Sequence, residues 1–186
     1  IAFVGDLKYG RTVHSLAEAL SMYNAEVYLV SPDSLSMPQY ILDHMAANNI
    51  KYSIHKDLED VIPEVDILYM TRVQKERFLD EDEFDRVKDS FVLDARRMAL
   101  AKKDMAVLHP LPRVNEILTE VDADPRAAYF RQVEYGKFVR MALITKLMAW
   151  RDDPEHPMPE GDEPIFDEKL HCTNAKCICA HEKVQP

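Results

Sequence analysis

Glycine and cysteine are both scarce in this chain. Only four of its 186 residues are glycine, and none falls in a G-x-G-x-x-G or G-x-x-x-x-G-K-[ST] run. A dinucleotide fingerprint or a P-loop therefore has little support. The three cysteines all lie in the last fifteen residues, which is not a disulfide framework. No apolar run approaches the ~20 residues that a bilayer-spanning helix requires. Positive charge is short as well. Lys and Arg number 23 against 33 Asp and Glu, a net charge of −10. That balance argues against a nucleic-acid polymer or an anionic membrane as partner. An anionic ligand would need cations gathered locally. The opening Ile1-Ala2-Phe3-Val4 has neither an initiator methionine nor a charged, signal-like start. The expectation is a fragment of a longer, cytoplasmic chain.

Short β-rich runs alternate with longer helix-like ones. The strand candidates are 1–4, 26–31, 51–55, 66–71, 91–95 and 106–109. Between them, 12–23, 37–48, 57–62 and 81–89 read as helices. In the first of these Val13, Leu16, Ala17 and Leu20 share one face. Such alternation implies a doubly wound α/β fold, a mostly parallel, Rossmann-like sheet with helices on both faces. Residues 126–150 form a long helical candidate. Its stripe of Phe130, Val133, Met141, Ile144 and Met148 is broken only at Lys137. After Trp150 the chain turns acidic and proline-rich, which suits a linker over 151–170. A short cysteine-bearing tail, 171–186, completes the expected organisation behind a domain of 1–150.

In open α/β sheets, ligands bind outside the carboxyl ends of the strands. Three such ends carry unusual residues here. Lys8 and Arg11 follow the first strand, Arg72, Gln74, Lys75 and Arg77 follow the fourth, and His109-Pro110-Leu111-Pro112-Arg113 follows the last. Prolines cannot donate to a β-ladder, so the last strand must end at this elbow. One reading is a rim that recognises a small dianion carrying an amine. Two arginine forks suit two carboxylates, and proline-stiffened carbonyls accept from an N–H. The same residues also suit ordinary solvated loops and a plain strand exit.

DLKYGRTVHSL (6–16), YMTRVQKER (69–77) and VLHPLPRV (107–114), in this order, resemble the aspartate-binding domain of aspartate carbamoyltransferase catalytic chains. Ornithine-type relatives carry cysteine where Pro110 stands. The resemblance implies that Arg11 and Arg72 pair with the two carboxylates of L-aspartate, with Gln74 orienting it and Glu76 holding Arg72. The carbonyls of Pro110 and Leu111 would meet the carbamoyl amide and the attacking amine. Leu111 and Pro112 would contact the carbamoyl phosphate, and a cis Leu111–Pro112 bond would lock the loop. Arg113 belongs to the motif without an assigned contact. The implied reaction joins L-aspartate to carbamoyl phosphate, toward pyrimidines, with no cofactor for the chemistry. The implied assembly is a homotrimer with sites between subunits, within a larger assembly with regulatory-type modules.

Two features depart from the family pattern. The family's Ser-x-Arg-Thr-Arg phosphate motif and its carbonyl-polarising histidine are absent from these 186 residues. Neither His14 nor His109 takes that histidine's place, and His109 reads as structural. The chain would then hold half a site. In the family trimer Glu83 would meet Lys8 or Tyr9 of a neighbouring chain, although it also fits a solvated acidic face. In the tail, Cys172 and Cys177 resemble the first half of a regulatory-chain zinc module. Zinc is expected structurally in the parent protein. A local site here would have to draw on Cys179 and on His171 or His181, the alternative being free thiols. Two further readings stay open: a carbamoyltransferase for another amino acid, and a non-catalytic interaction module of the same fold.

Overall fold

A computed structural model of the protein describes residues 1–73, 78, 82, 84 and 91–151. Gln74, Glu76, Glu83, most of the 81–89 helix expectation, the linker beyond Arg151 and the tail with Cys172 and Cys177 lie outside the described residues.

Five short parallel strands carry the chain: β1 (Ala2–Val4), β2 (Glu26–Val30), β3 (Lys51–His55), β4 (Ile67–Met70) and β5 (Ala106–Leu108). Their order across the sheet is β3-β2-β1-β4-β5, with Val4 beside Val30 on one side and Met70 on the other. The chain therefore reverses its direction of winding between β1 and β4. This is the doubly wound arrangement expected from the alternation of runs.

The near-continuous apolar strands are explained by burial on both faces. Successive side chains point to opposite sides of the sheet. Ala2, Val4, Val30, Leu68, Met70 and Val107 enter one core with Leu58, Val61, Ile62, Met98 and Tyr129. Phe3, Val27, Leu29 and Tyr69 enter the other. There they meet Val13 and Ala17 of α1 (Arg11–Ala19) and Ile41 and Met45 of α2 (Gln39–Ala47). Phe3 and Tyr69 make an edge contact with ring centroids 5.8 Å apart.

Two local expectations fail for identifiable reasons. Residues 91–95 do not extend as a strand, because Asp94 caps a short helix, α3 (Ala95–Met98), accepting from the Arg97 amide at 2.7 Å. Only Leu93 pairs, in a single bridge with Ile117. Residues 57–62 form turns rather than a helix. Pro63 disfavours helical backbone at Ile62, so Leu58, Val61 and Ile62 reach the core from a turn instead.

The last helix, α4 (Tyr129–Arg151), is continuous. Residues Ile1–Lys137 form one compact unit and Phe138–Pro186 a second. Within the described part of that second unit, Phe138, Met141, Ile144, Leu147, Met148 and Trp150 are all exposed. No helix among the described residues is long and apolar enough to cross a membrane.

Candidate functional site

One cavity, of about 220 Å³, lies at the carboxyl ends of β1, β4 and β5. Asp6 and Tyr9 to Thr12 line it from the loop after β1 and the start of α1, and Thr71 and Arg72 from the end of β4. His109, Pro110, Leu111 and Pro112 complete it from the end of β5. The sheet places it at the switch point, where two adjacent strands lead into loops on opposite faces and leave a crevice.

The wall after β1 depends on glycine. Gly5 has φ 109°, and a Cβ there would stand 2.6 Å from the Thr71 carbonyl oxygen and 2.7 Å from Thr71 Oγ1. A side chain at Gly10 would likewise meet the Asp6 carbonyl at 2.5 Å. Thr71 is the pin between the two loops. Its hydroxyl donates to the Val4 carbonyl at 2.8 Å and accepts from the Asp6 amide at 2.9 Å. Gly5→Ala combines a disfavoured backbone angle with this collision. It is expected to cost about 2 kcal/mol or more of stability, read as a fall in the urea midpoint with unchanged slope.

Four further contacts hold this wall. The Asp6 carboxylate accepts from the Tyr9 amide at 2.9 Å. His14 Nε2 donates to the Leu7 carbonyl at 2.8 Å, and its Nδ1 lies 3.2 Å from the Tyr40 hydroxyl on α2. Tyr69, whose hydroxyl burial pushes above its ordinary range, bonds to Thr12.

Arg11 is the first residue of α1, preceded by Gly10 with no side-chain cap and no acidic residue in the first turn. The start of α1, with its partial positive charge, lines the same cavity through Gly10, Arg11 and Thr12, while the Arg11 and Val13 amides donate to the Tyr9 and Gly10 carbonyls. Among the described residues, no ion pair or side-chain hydrogen bond engages the guanidinium of Arg11 or Arg72. Structural arginines elsewhere in the chain contrast with them. Arg113 forks onto both oxygens of Asp122, bonds the Tyr129 hydroxyl at 3.0 Å and lies 5.4 Å from that ring's centre. Arg126 forks onto Asp124 and caps the carbonyls of Ala101 and Lys102. Buried beside Asp122, the Tyr129 hydroxyl is pushed up to about 12. Arg113, which carried no assignment from the sequence, is thus a clamp between the elbow and the start of α4. Lys8 is exposed, with its ammonium 5.2 Å from the centre of the Tyr9 ring.

The elbow has two unusual backbone features. The Leu111–Pro112 bond is cis, and Leu111 itself has φ 53°. Holding a leucine in the left-handed region costs on the order of 1–2 kcal/mol, so surrounding contacts must fix it. His109 and Glu116 supply them, 1% and 4% exposed respectively. Burial pushes Glu116 up, but hydrogen bonds from His109 and from nearby backbone amides outweigh it and hold the carboxyl below its usual range. The cavity thus brings together two cations with no side-chain partner among the described residues, the start of α1 and the proline-stiffened elbow, a set that fits an anion bearing an N–H group. Among the described residues, no cluster of His, Cys, Asp and Glu could hold a metal ion.

Comparison with known proteins gives a consistent pattern. The profile of the aspartate/ornithine carbamoyltransferase Asp/Orn binding domain matches residues 1–147. The aspartate carbamoyltransferase catalytic subunit of Finegoldia magna is 58% identical over 152 residues, covering 81% of this chain and 50% of that protein. The chain spans about half the length of the curated relatives it matches. Among solved structures, the catalytic subunit of M. jannaschii aspartate transcarbamoylase superposes with a TM-score of 0.74 at 48% identity, covering 80% of this chain and 49% of the other. Aspartate transcarbamoylase from Trypanosoma cruzi, in complex with carbamoyl aspartate and phosphate, gives 0.69 at 45% identity, covering 77% and 47%.

Proposed function

Because the chain belongs to the aspartate/ornithine carbamoyltransferase family, we propose that it supplies the aspartate-binding half of an aspartate carbamoyltransferase active site. The carrying observation is that Arg11, Arg72 and the Pro110–Leu111–Pro112 elbow line one cavity at the sheet's switch point. Each guanidinium takes one carboxylate of L-aspartate in a charge-assisted fork. Gln74 helps orient the substrate and Glu76 restrains Arg72. The Pro110 and Leu111 carbonyls accept from the carbamoyl amide and from the attacking amine, and Leu111 and Pro112 bound the carbamoyl phosphate.

The amine's lone pair attacks the carbamoyl carbon and a C–N bond forms. The bond from that carbon to the phosphate oxygen then breaks, phosphate departs with its electron pair, and the nitrogen's proton passes to the departing phosphate. The residues on this chain position the nucleophile and restrict its approach, a contribution that works through geometry rather than through proton transfer. Phosphate binding and stabilisation of the tetrahedral oxyanion come from elsewhere in the enzyme. No metal or organic cofactor enters the chemistry. Zinc would be structural, held in the parent protein by Cys172, Cys177 and further ligands, and would take part in no step.

The enzyme acts in the cytoplasm in pyrimidine synthesis as a homotrimer, with regulatory-type modules in a larger assembly. The apolar residues around α4 suit burial against the half of the relatives' length that this chain does not match. Specificity tests the reading most simply. A catalytic subunit in which residues 1–147 replace the matching half of the Finegoldia magna relative should carbamoylate L-aspartate. It should use L-asparagine and L-ornithine at least about 100-fold less well, since each leaves one guanidinium without a carboxylate. Preference for another amino acid would move the assignment to a different carbamoyltransferase.

A further inference from the structure

The histidine at the end of β5 does more than fill the core. The Leu111 amide lies 2.8 Å from His109 Nδ1. An amide can only donate, so Nδ1 must present its lone pair. The other ring nitrogen, Nε2, lies 2.8 Å from Glu116 Oε1. A carboxylate can only accept, so Nε2 must carry the proton. Two independent contacts therefore specify the same tautomer. Glu116 is fixed in turn, since its Oε2 accepts from the amides of Val114 at 3.0 Å and Asn115 at 3.1 Å. Its backbone carbonyl accepts from the Leu93 amide at 2.9 Å.

The consequence follows from peptide geometry. The only cis peptide bond recorded among the described residues is Leu111–Pro112, so the Pro110–Leu111 peptide is trans. In a planar trans peptide the carbonyl and the N–H point in opposite directions. Fixing the Leu111 N–H on the imidazole therefore fixes the Pro110 carbonyl on the far side of the same plane. Pro110 and Leu111 both line the cavity.

We propose that His109 is a positioning residue: its Nδ1 lone pair, aligned by Glu116, sets the peptide plane that aims the Pro110 carbonyl at the reacting groups. The peptide-plane claim stands on geometry alone, while its catalytic consequence rests on the functional reading above. Leu111, in the left-handed region, has no inherent preference for this orientation, which is why a dedicated acceptor is required.

Two isosteres separate the two nitrogens. His109→Asn keeps an acceptor near the Nδ1 position and drops the contact to Glu116. His109→Gln keeps a donor near the Nε2 position and drops the acceptor for Leu111. The first readout is nitrogen-15 NMR of the 186-residue chain. His109 should show a protonated Nε2 and an unprotonated Nδ1, with the Leu111 amide slow to exchange. A protonated Nδ1, or a Leu111 amide exchanging as fast as exposed loop amides, overturns the proposal whether or not either variant folds. In the variants, Leu111 protection should survive in Asn and fall by about tenfold or more in Gln, the scale of one lost hydrogen bond. Equal protection in two folded variants overturns it.

The second readout uses the catalytic subunit carrying residues 1–147. Gln should lower kcat by about tenfold with little change in the aspartate KM, and Asn should stay within about threefold of the parent. The reverse order would make the Glu116 contact, not the Leu111 contact, the determinant and would overturn the proposal. If the parent subunit forms no carbamoyl aspartate, the functional reading fails instead, and the NMR result still decides the peptide-plane claim.

Discussion

Arg72→Ala is expected to raise the aspartate KM by about one to two decades, and Arg11→Ala by a similar factor. The estimate comes from the energy of a hydrogen bond to a charged group, about 1.5–3 kcal/mol, at about 1.4 kcal/mol per decade. Both residues line the cavity, and no partner among the described residues competes for either guanidinium. Removing them should therefore leave the melting temperature almost unchanged, unlike removal of Arg113, which is held by Asp122 and Tyr129. Lysine at either position keeps the charge but loses the planar fork, so Arg72→Lys should fall between the parent and alanine. Steady-state kinetics on the catalytic subunit carrying residues 1–147 check these values. A non-catalytic interaction module would show no change in any of them.

The larger expected effect is complete loss. The 186-residue chain by itself should form no carbamoyl aspartate above the uncatalysed background, at any concentration of the two substrates. Arg11 and Arg72 line the cavity together with the elbow residues, whose carbonyls are assigned to N–H groups in the proposed function. Both cations are assigned to the aspartate carboxylates, and carbonyls repel a phosphate rather than bind it. The sequence contains no Ser-x-Arg-Thr-Arg run to replace them. Without donors at the developing oxyanion, each missing contact costs roughly 10²–10³ in rate, and an unpositioned carbamoyl phosphate forfeits the advantage of proximity. A radiochemical assay with labelled aspartate decides the matter. Turnover by the isolated chain would place an unrecognised phosphate site within these residues.

The central strands were legible because burial on both faces leaves them apolar, and Phe3 between Ala2 and Val4 needs no polar alternation. The candidate arginines were legible because the topology requires strand ends to meet on one rim. Other features depend on partners distant in the sequence. Nothing in FVLDA marks Asp94 as a helix cap, because the capped amide belongs to Arg97 in a helix only four residues long. Arg113 finds Asp122 nine residues on and Tyr129 sixteen on. Nothing in the sequence marks Glu116, and only the fold buries it against His109. Gly5 did carry a signal, a glycine directly after a strand in a chain with only four. Thr71, its neighbour across the crevice, carried none, since a threonine at a strand end is commonplace.

The most direct measurement is a crystal structure of the catalytic subunit carrying residues 1–147, with L-aspartate and phosphate bound. The expected result places one carboxylate within about 2.7–2.9 Å of Arg11 and the other within that distance of Arg72, with the amine facing the Pro110 and Leu111 carbonyls. Aspartate bound elsewhere, or bound here with either guanidinium turned away from it, would contradict the account.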